Sequence, residues 1–268
     1  MNRVVIRDVT LDFPIYDVNA RSLRHRLVIN RLSRLASSSG HTVGGSVRHD
    51  RKGVITVRAL DNISFELADG DRVALIGHNG AGKTTLLRVM AGIFEPTSGE
   101  VQTHGRVMPL FNIMEGMAPD ASGIEMIRVR GTLLGLTNRE IQEKIYEIAE
   151  FCELGEYVSM PVRTYSAGMQ VRLAFAITTA VESDILIMDE FIGAGDAAFV
   201  DRAKVRLRAF VERSSVMFVA THSTSIIHQW CNKAILLENG RIRAIGAVDS
   251  ILAQYDQVNR IGTGQRRF

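Results

Sequence analysis

The sequence predicts an α/β domain built on a mainly parallel sheet, and three observations carry that expectation. Short apolar runs, Ile185-Leu186-Ile187-Met188 and Val216-Met217-Phe218-Val219, are each bounded by stretches with helical patterning; this alternation yields parallel strands covered on both faces. A further apolar run, Val73-Ala74-Leu75-Ile76, leads into a glycine-rich loop and then a helix-forming segment, the strand–loop–helix context of a phosphate-binding loop. Apolar residues make up 46% and charged residues 23% of the 268 positions, the balance of a folded domain rather than a disordered chain.

Length and composition bound the rest. A chain of this size buries a sizeable core as one domain, here taken as residues 1–268, with or without a smaller subdomain. The formal net charge of +3 gives no whole-molecule argument for nucleic acid, so none is expected as a partner. Cys152 and Cys231 are far apart and lack the paired spacing of a zinc or redox motif, so both are read as reduced and structural. The start, Met1-Asn2-Arg3-Val4-Val5, places charge too early for a secretory leader, and no apolar run approaches the ~18 residues that span a bilayer. Any service to a membrane is expected from its cytoplasmic face.

Taken in order, residues 3–13 alternate apolar and polar, as a half-buried strand does. Leu23, Leu27, Leu32 and Leu35 fall near helical spacing, interleaved with Arg21, Arg24, Arg26, Arg31 and Arg34, which predicts a short basic amphipathic helix. Ser37 to Gly53 has the Ser, Gly and charge content of a loop. Residues 17–53 therefore read as an insertion in the N-terminal β region, whose strand pattern resumes at Val54–Leu60 and Ile63–Gly77. A helix leaves the glycine-rich loop over residues 84–92. A clear amphipathic helix spans Asn138 to Phe151, with Ile141, Ile145, Ile148 and Phe151 on one face. The middle of the chain is mostly helical, and a hairpin turning at Asn239-Gly240 closes the pattern.

The chemistry-bearing residues begin at Gly77-His78-Asn79-Gly80-Ala81-Gly82-Lys83-Thr84, followed by Thr85. Glycines let backbone N–H groups turn inward around phosphates, and the helix N-terminus adds a favourable dipole. Lys83 reaches the β and γ phosphates of ATP, and the Thr84 hydroxyl is placed to ligate Mg²⁺. Such a site needs a carboxylate at the end of another apolar strand, and Asp189-Glu190 after Ile185–Met188 supplies it. Asp189 would hold Mg²⁺, and Glu190 would polarise the attacking water as general base.

A phosphate loop with a carboxylate strand fits many nucleotide enzymes, so the intervening sequence decides the class. Tyr165-Ser166-Ala167-Gly168-Met169, ahead of Arg172 and a long helical stretch, resembles the signature motif of ABC ATPases, with Ser166 and Gly168 matching at the most telling places. Gly193-Ala194-Gly195-Asp196 resembles that family's D-loop, and Thr221-His222 ends an apolar strand as its switch histidine does. The resemblance implies the P-loop fold of ABC ATPases, a mainly parallel core with an N-terminal antiparallel region and a helical subdomain over about residues 112–165. It also implies a homodimer in which Ser166, Ala167, Gly168 and Met169 of one chain cap ATP held by the other, with His222 on the γ phosphate. Where the family has a Q-loop glutamine this chain has Asn112, with Glu115 as the weaker candidate, and Tyr165, Ala167 and Met169 also depart from the commonest signature. An N-terminal aromatic would stack on adenine; Phe13 fits the register better than Tyr16.

The Tyr-Ser-x-Gly-Met form, the stretch from Asp189 to Ala197 and the basic insertion together look like the ATPases of bacterial polysaccharide exporters, over roughly residues 3–255. That likeness implies a peripheral subunit on the cytoplasmic face of the inner membrane. It would drive O-antigen, capsule or teichoic acid chains, presented as lipid-linked polysaccharide, through integral-membrane permease subunits. No additional C-terminal glycan-binding sandwich is expected, and the arginines of residues 21–35 would face anionic groups at the entrance. The alternatives are another ABC transporter, whose catalytic residues would be the same, and a soluble ABC ATPase, which usually carries two ATP domains or a long coiled-coil insertion.

Overall fold

The computed structural model describes residues 2–15, 46–49, 55–111, 113–189 and 197–264. The residues divide into two compact units. One comprises the described parts of Val4–Leu67, Asp71–Thr103 and Ala220–Phe268, and the other is built mainly from His104–Val219.

The first unit opens with a four-stranded sheet in the order β2-β3-β1-β5, formed by β1 (Arg3–Ile15), β2 (Ser46–His49), β3 (Ile55–Ala68) and β5 (Ser98–His104). β2 corrects the sequence expectation, since it lies within Ser37–Gly53, whose composition predicts a loop. Its four residues pair antiparallel with β3, Ser46 opposite Arg58 and His49 opposite Ile55. Ladder bonds along a neighbouring strand outweigh weak local β-propensity. The two strand patterns expected between Val54 and Ala68 are one strand, and Asn62 takes a positive φ of 56° within it. Asp8 departs similarly in β1 (φ 49°), where its amide donates to Ser64 Oγ at 2.7 Å. That irregularity is why β1 buries residues in runs rather than in strict alternation.

The same unit holds β4 (Arg72–Ile76), α1 (Lys83–Met90), α6 (Thr224–Trp230), β9 (Lys233–Glu238), β10 (Arg241–Ala247) and α7 (Val248–Gly264). β4 runs parallel to β9, and β10 pairs antiparallel with β9. The expected hairpin is present, with Asn239 and Gly240 both at positive φ, 49° and 76°, the backbone that a tight two-residue turn requires. Ala74, Ile76, Ile227, Ala234, Leu236, Val248 and Ile251 form a core around these strands.

The second unit contains β6 (Val107–Leu110), α2 (Gly123–Leu133), α3 (Asn138–Cys152), α4 (Ala167–Thr179), β7 (Ile185–Asp189), α5 (Ala197–Arg213) and β8 (Val216–Ala220). Its strands lie in the order β8-β7-β6, with β6 and β7 parallel. β8 is buried throughout, and β7 up to Met188, as strands covered on both faces must be. α2 and α3 each begin with a capping box, Ser122 with Glu125 and Thr137 with Glu140, and such caps contribute about 1 kcal/mol each. Ile141 and Ile148 of α3 are buried as the helical spacing predicts.

Arginines of α4 and α5 pack on the aromatic rings of this unit. Arg206 lies 4.4 Å from the Phe151 ring centroid and Arg172 5.1 Å from that of Phe199. Glu153 accepts from Arg202, and Glu147 pairs with Arg206 at 2.9 Å. The thiols of Cys152 and Cys231 are free, and burial pushes both up to about 12, so neither is a ready nucleophile near neutral pH. No helix among the described residues is long and apolar enough to cross a membrane.

Candidate functional site

The glycine-rich loop leaves the buried strand β4 and is pressed against the hairpin. A Cβ on Gly77 would lie 2.3 Å from the Leu237 carbonyl oxygen, and one on Gly82 would lie 2.9 Å from that of Ala59. Gly82 also has φ 104° and Gly80 φ 82°, conformations that cost an L side chain energy. The hairpin turn holds the loop from outside it, since Gly240 N–H donates to the Ala81 carbonyl at 2.9 Å.

The turn is fixed by charge. Arg58 makes two 2.8 Å contacts with Asp12 and one of 3.0 Å with Asp61, while Arg241 donates to Asp61 Oδ2 through Nε at 2.8 Å and Nη2 at 2.5 Å. Hydrogen bonding from Arg241, opposed by burial and reinforced by Arg58, holds the Asp61 carboxyl below its ordinary value. This network, which sequence patterning did not suggest, links β1, β3 and β10 beneath the loop.

Gly82 is the N-cap of α1 and has no side chain to cap it. The first N–H groups of α1 therefore carry no side-chain cap, the arrangement that favours an anion there. Lys83 Nζ arches back over the loop and donates to the carbonyls of Gly77 at 2.6 Å and His78 at 3.1 Å. Thr84 is exposed and Thr85 half-buried. The His78 ring meets the Asn79 carbonyl at 2.8 Å. The structure thus gathers Gly77 through Thr85 at the turn from β4 into α1. In the same unit, His222 is exposed beyond β8, between buried Thr221 and Ser223, whose hydroxyl caps α6. Phe13 packs edge-on against Phe94, centroids 5.4 Å apart at 77°.

In the other unit, Asp189 is half-buried at the C-terminal end of β7. Ser166 is the N-cap of α4, its hydroxyl accepting from Met169 N–H at 3.2 Å. Ala167 and Ser166 are exposed, and beyond its own helix backbone and chain neighbours the described residues bring only Ser166 Oγ, at 3.9 Å, within 4 Å of a Cβ built on Gly168. Tyr165, a departure from the common motif, is 5% exposed and donates to the Tyr157 carbonyl at 2.6 Å. Its hydroxyl occupies the space that a side chain on Gly123 would take, 2.5 Å away. Tyr165 therefore braces the signature turn from beneath, a role that only tertiary contacts reveal. Tyr16, Asn112, Glu190, Gly193 to Asp196 and the basic segment Arg21–Leu35 lie outside the described residues.

An ABC transporter family model matches residues 60–193, a span running from β3 through the glycine-rich loop and the signature helix to the segment after Asp189. The chain belongs to the ABC transporter ATPases. It is 46% identical over 242 residues to the O-antigen export system ATP-binding protein RfbE of Yersinia enterocolitica, covering 90% of this chain and 97% of that protein. It is 38% identical to the teichoic acids export ATP-binding protein TagH of Lactococcus lactis over 74% of this chain and 42% of that one. The dimeric, post-hydrolysis structure of an ATP-binding cassette bound to ADP and phosphate shares its fold, with a TM-score of 0.62 and 17% identity, covering 91% of this chain and 98% of that one.

Proposed function

We propose that this ABC ATPase powers export of a lipid-linked polysaccharide, of the O-antigen, capsule or teichoic acid kind, through membrane permease subunits. The observation that carries the reading is the 46% identity to an O-antigen export ATPase across nearly the full length of both chains. The subunit would work at the cytoplasmic face of the inner membrane, as a homodimer.

Its chemistry is phosphoryl transfer from ATP to water. Gly77 to Gly82 would hold the phosphates with backbone N–H groups, and Lys83 would exchange its loop carbonyls for the β and γ oxygens. Thr84 and Asp189 offer the hard oxygen donors that Mg²⁺ prefers, with phosphate and water completing its shell; the ion would neutralise charge developing on the phosphates. Asn112 is positioned in sequence to contribute an amide to the metal or water. Glu190 would take the proton of the attacking water, and His222 would hold the γ phosphate. Phe13 is the residue for adenine, with Tyr16 as the second choice. Asp196 would lie at the seam between the two chains.

The signature loop supports a shared site. Ser166 closes its own helix while Gly168 leaves open space among the described residues, which suits approach of a partner-bound nucleotide. Glu190→Gln would separate binding from hydrolysis. With ATP and Mg²⁺ we expect this variant to form a stable dimer with hydrolysis reduced at least about 100-fold, scaled to the loss of one transition-state group; a monomer with undiminished hydrolysis would overturn the assignment. The transport reading is tested in cells by Lys83→Ala, which should leave lipid-linked glycan on the cytoplasmic side. Normal surface glycan in that strain would refute it.

A further inference from the structure

Phe13 is half-buried near the end of β1, and its ring meets that of Phe94 edge-on, centroids 5.4 Å apart at 77°. Phe94 lies in the segment between α1 and β5 and also receives the Arg88 guanidinium, 5.6 Å from its ring centroid. Arg88 stands in the last turn of α1, the helix that starts at Lys83. A line of side chains, Arg88 to Phe94 to Phe13, thus runs from the helix that leaves the glycine-rich loop to the end of β1, all within one unit.

Backbone bonds fix the middle member from both sides. The Ile93 and Phe94 amides donate to the Arg88 carbonyl at 2.9 and 3.3 Å, which ties the segment to α1. Further on, Thr97 N–H donates to the Thr10 carbonyl at 2.8 Å, and Thr97 Oγ1 accepts from the Asp12 amide at 2.9 Å, which ties it to β1 just before Phe13. The β1 backbone there is braced again by the two bonds from Arg58 to Asp12. The Phe13 side chain has its own torsions, and half-burial alone does not fix them. An edge-on partner does, because aromatic pairs favour this arrangement beyond the area they bury. A cation within about 6 Å of the ring centroid steadies Phe94 in turn. A T-shaped contact takes up one face or the rim of a ring, so at least one face of Phe13 stays clear of Phe94.

We propose that Phe94, steadied by Arg88, is a positioning residue for nucleotide binding, holding the Phe13 ring at the tilt in which its clear face stacks on the nucleobase; this rests on the assignment of adenine to Phe13. One helix then sets both ends of the site. α1 carries Lys83 for the phosphates at its start and, through Arg88 and Phe94, the orientation of Phe13 at its end. A ring already in its bound orientation lowers the ordering cost of binding, and it acts on the base alone.

The test compares a non-hydrolysable ATP analogue with inorganic tripolyphosphate, both with Mg²⁺, by calorimetric titration of the full chain. Tripolyphosphate carries the phosphates without the base, so damage to the glycine-rich loop moves both ligands, whereas lost stacking moves the nucleotide alone. Phe13→Ala should weaken the analogue at least about ten-fold, the scale of one base on an aromatic ring. Phe94→Leu should weaken it about five-fold, the scale of one aromatic pair, and leave tripolyphosphate within about two-fold. Phe94→Tyr, which keeps a ring, should match the parent within about two-fold. Placed on Phe13→Ala, Phe94→Leu should cost nothing further, since the two act through one contact. Steady-state hydrolysis by Phe94→Leu should show a raised KM with kcat unchanged. Equal weakening of both ligands, or of neither, in folded Phe94→Leu would overturn the proposal and leave Phe13 on adenine. Unchanged binding by Phe13→Ala would overturn that assignment and the proposal with it. Thermal midpoints identify any variant that fails to fold. If Phe94→Leu is one, Arg88→Gln keeps the ring pair and should lose about three-fold on the analogue alone; no selective loss there would overturn the proposal.

Discussion

The two glycine-bearing loops of this protein are built on opposite principles. In the loop before α1, Gly77 and Gly82 are demanded by the chain itself, because backbone carbonyls stand 2.3 and 2.9 Å from where a Cβ would be. At the signature turn, the nearest atom to a Cβ on Gly168 is Ser166 Oγ at 3.9 Å, ordinary van der Waals contact. The first loop is shaped by its own fold, and the second is open to what comes from outside. A glycine's neighbours thus distinguish a structural requirement from a recognition requirement, which the letters of the two motifs do not.

The sharpest way to break that contrast is a pair of substitutions. Gly168→Ala should leave unfolding stability unchanged or raise it by up to about 1 kcal/mol, since alanine is the better helix former, while lowering ATP-driven dimerisation and hydrolysis by about 100-fold. Gly77→Ala should lower stability by about 1–3 kcal/mol through overpacking against Leu237, read by denaturant titration. If Gly168→Ala keeps full activity, the open space there has no use and the contrast fails.

A smaller effect sharpens it. Tyr165→Phe removes the hydroxyl that donates to the Tyr157 carbonyl and leaves that acceptor without its partner. A loss of about 1 kcal/mol is expected, with hydrolysis lowered by less than ten-fold, because the signature turn loses a brace and not a contacting group. Equilibrium unfolding and steady-state ATPase assays on the same preparation separate the two.

The smallest effect concerns acid. Asp61 is held below its ordinary value chiefly by Arg241, so its contribution to stability is full above the unfolded carboxylate range, about 4, and is lost as pH falls through its lower folded value. Asp61→Asn should flatten the pH dependence of the thermal midpoint below about pH 4 and weaken the hold of the hairpin on the glycine-rich loop. An unchanged acid limb would remove this network from the account of loop stability.

Much of the molecule was legible beforehand because periodicity and punctuation are local. Ile141 and Ile148 of α3 followed from helical spacing, while Ile145 and Phe151 of the same expected face are half-buried, and Asn239-Gly240 named its own turn. The capping boxes of α2 and α3 are equally local, as Ser-x-x-Glu and Thr-x-x-Glu. β2 escaped because its four residues carry a loop's composition and gain their order only from pairing with β3. Tyr165 read as a departure from a motif, whereas its burial and its bond to Tyr157 make it a support.

By itself the sequence determined the α/β class, the order of the motifs and the family, since strand–loop–helix patterning and motif spacing are properties of neighbouring residues. Only the tertiary structure decided that Arg58, Asp61 and Arg241 anchor the turn gripping the glycine-rich loop, and that Gly77 cannot carry a side chain while Gly168 has room for one among the described residues. Each of these joins groups brought together by strand pairing and helix packing, and local pattern does not encode who becomes whose neighbour.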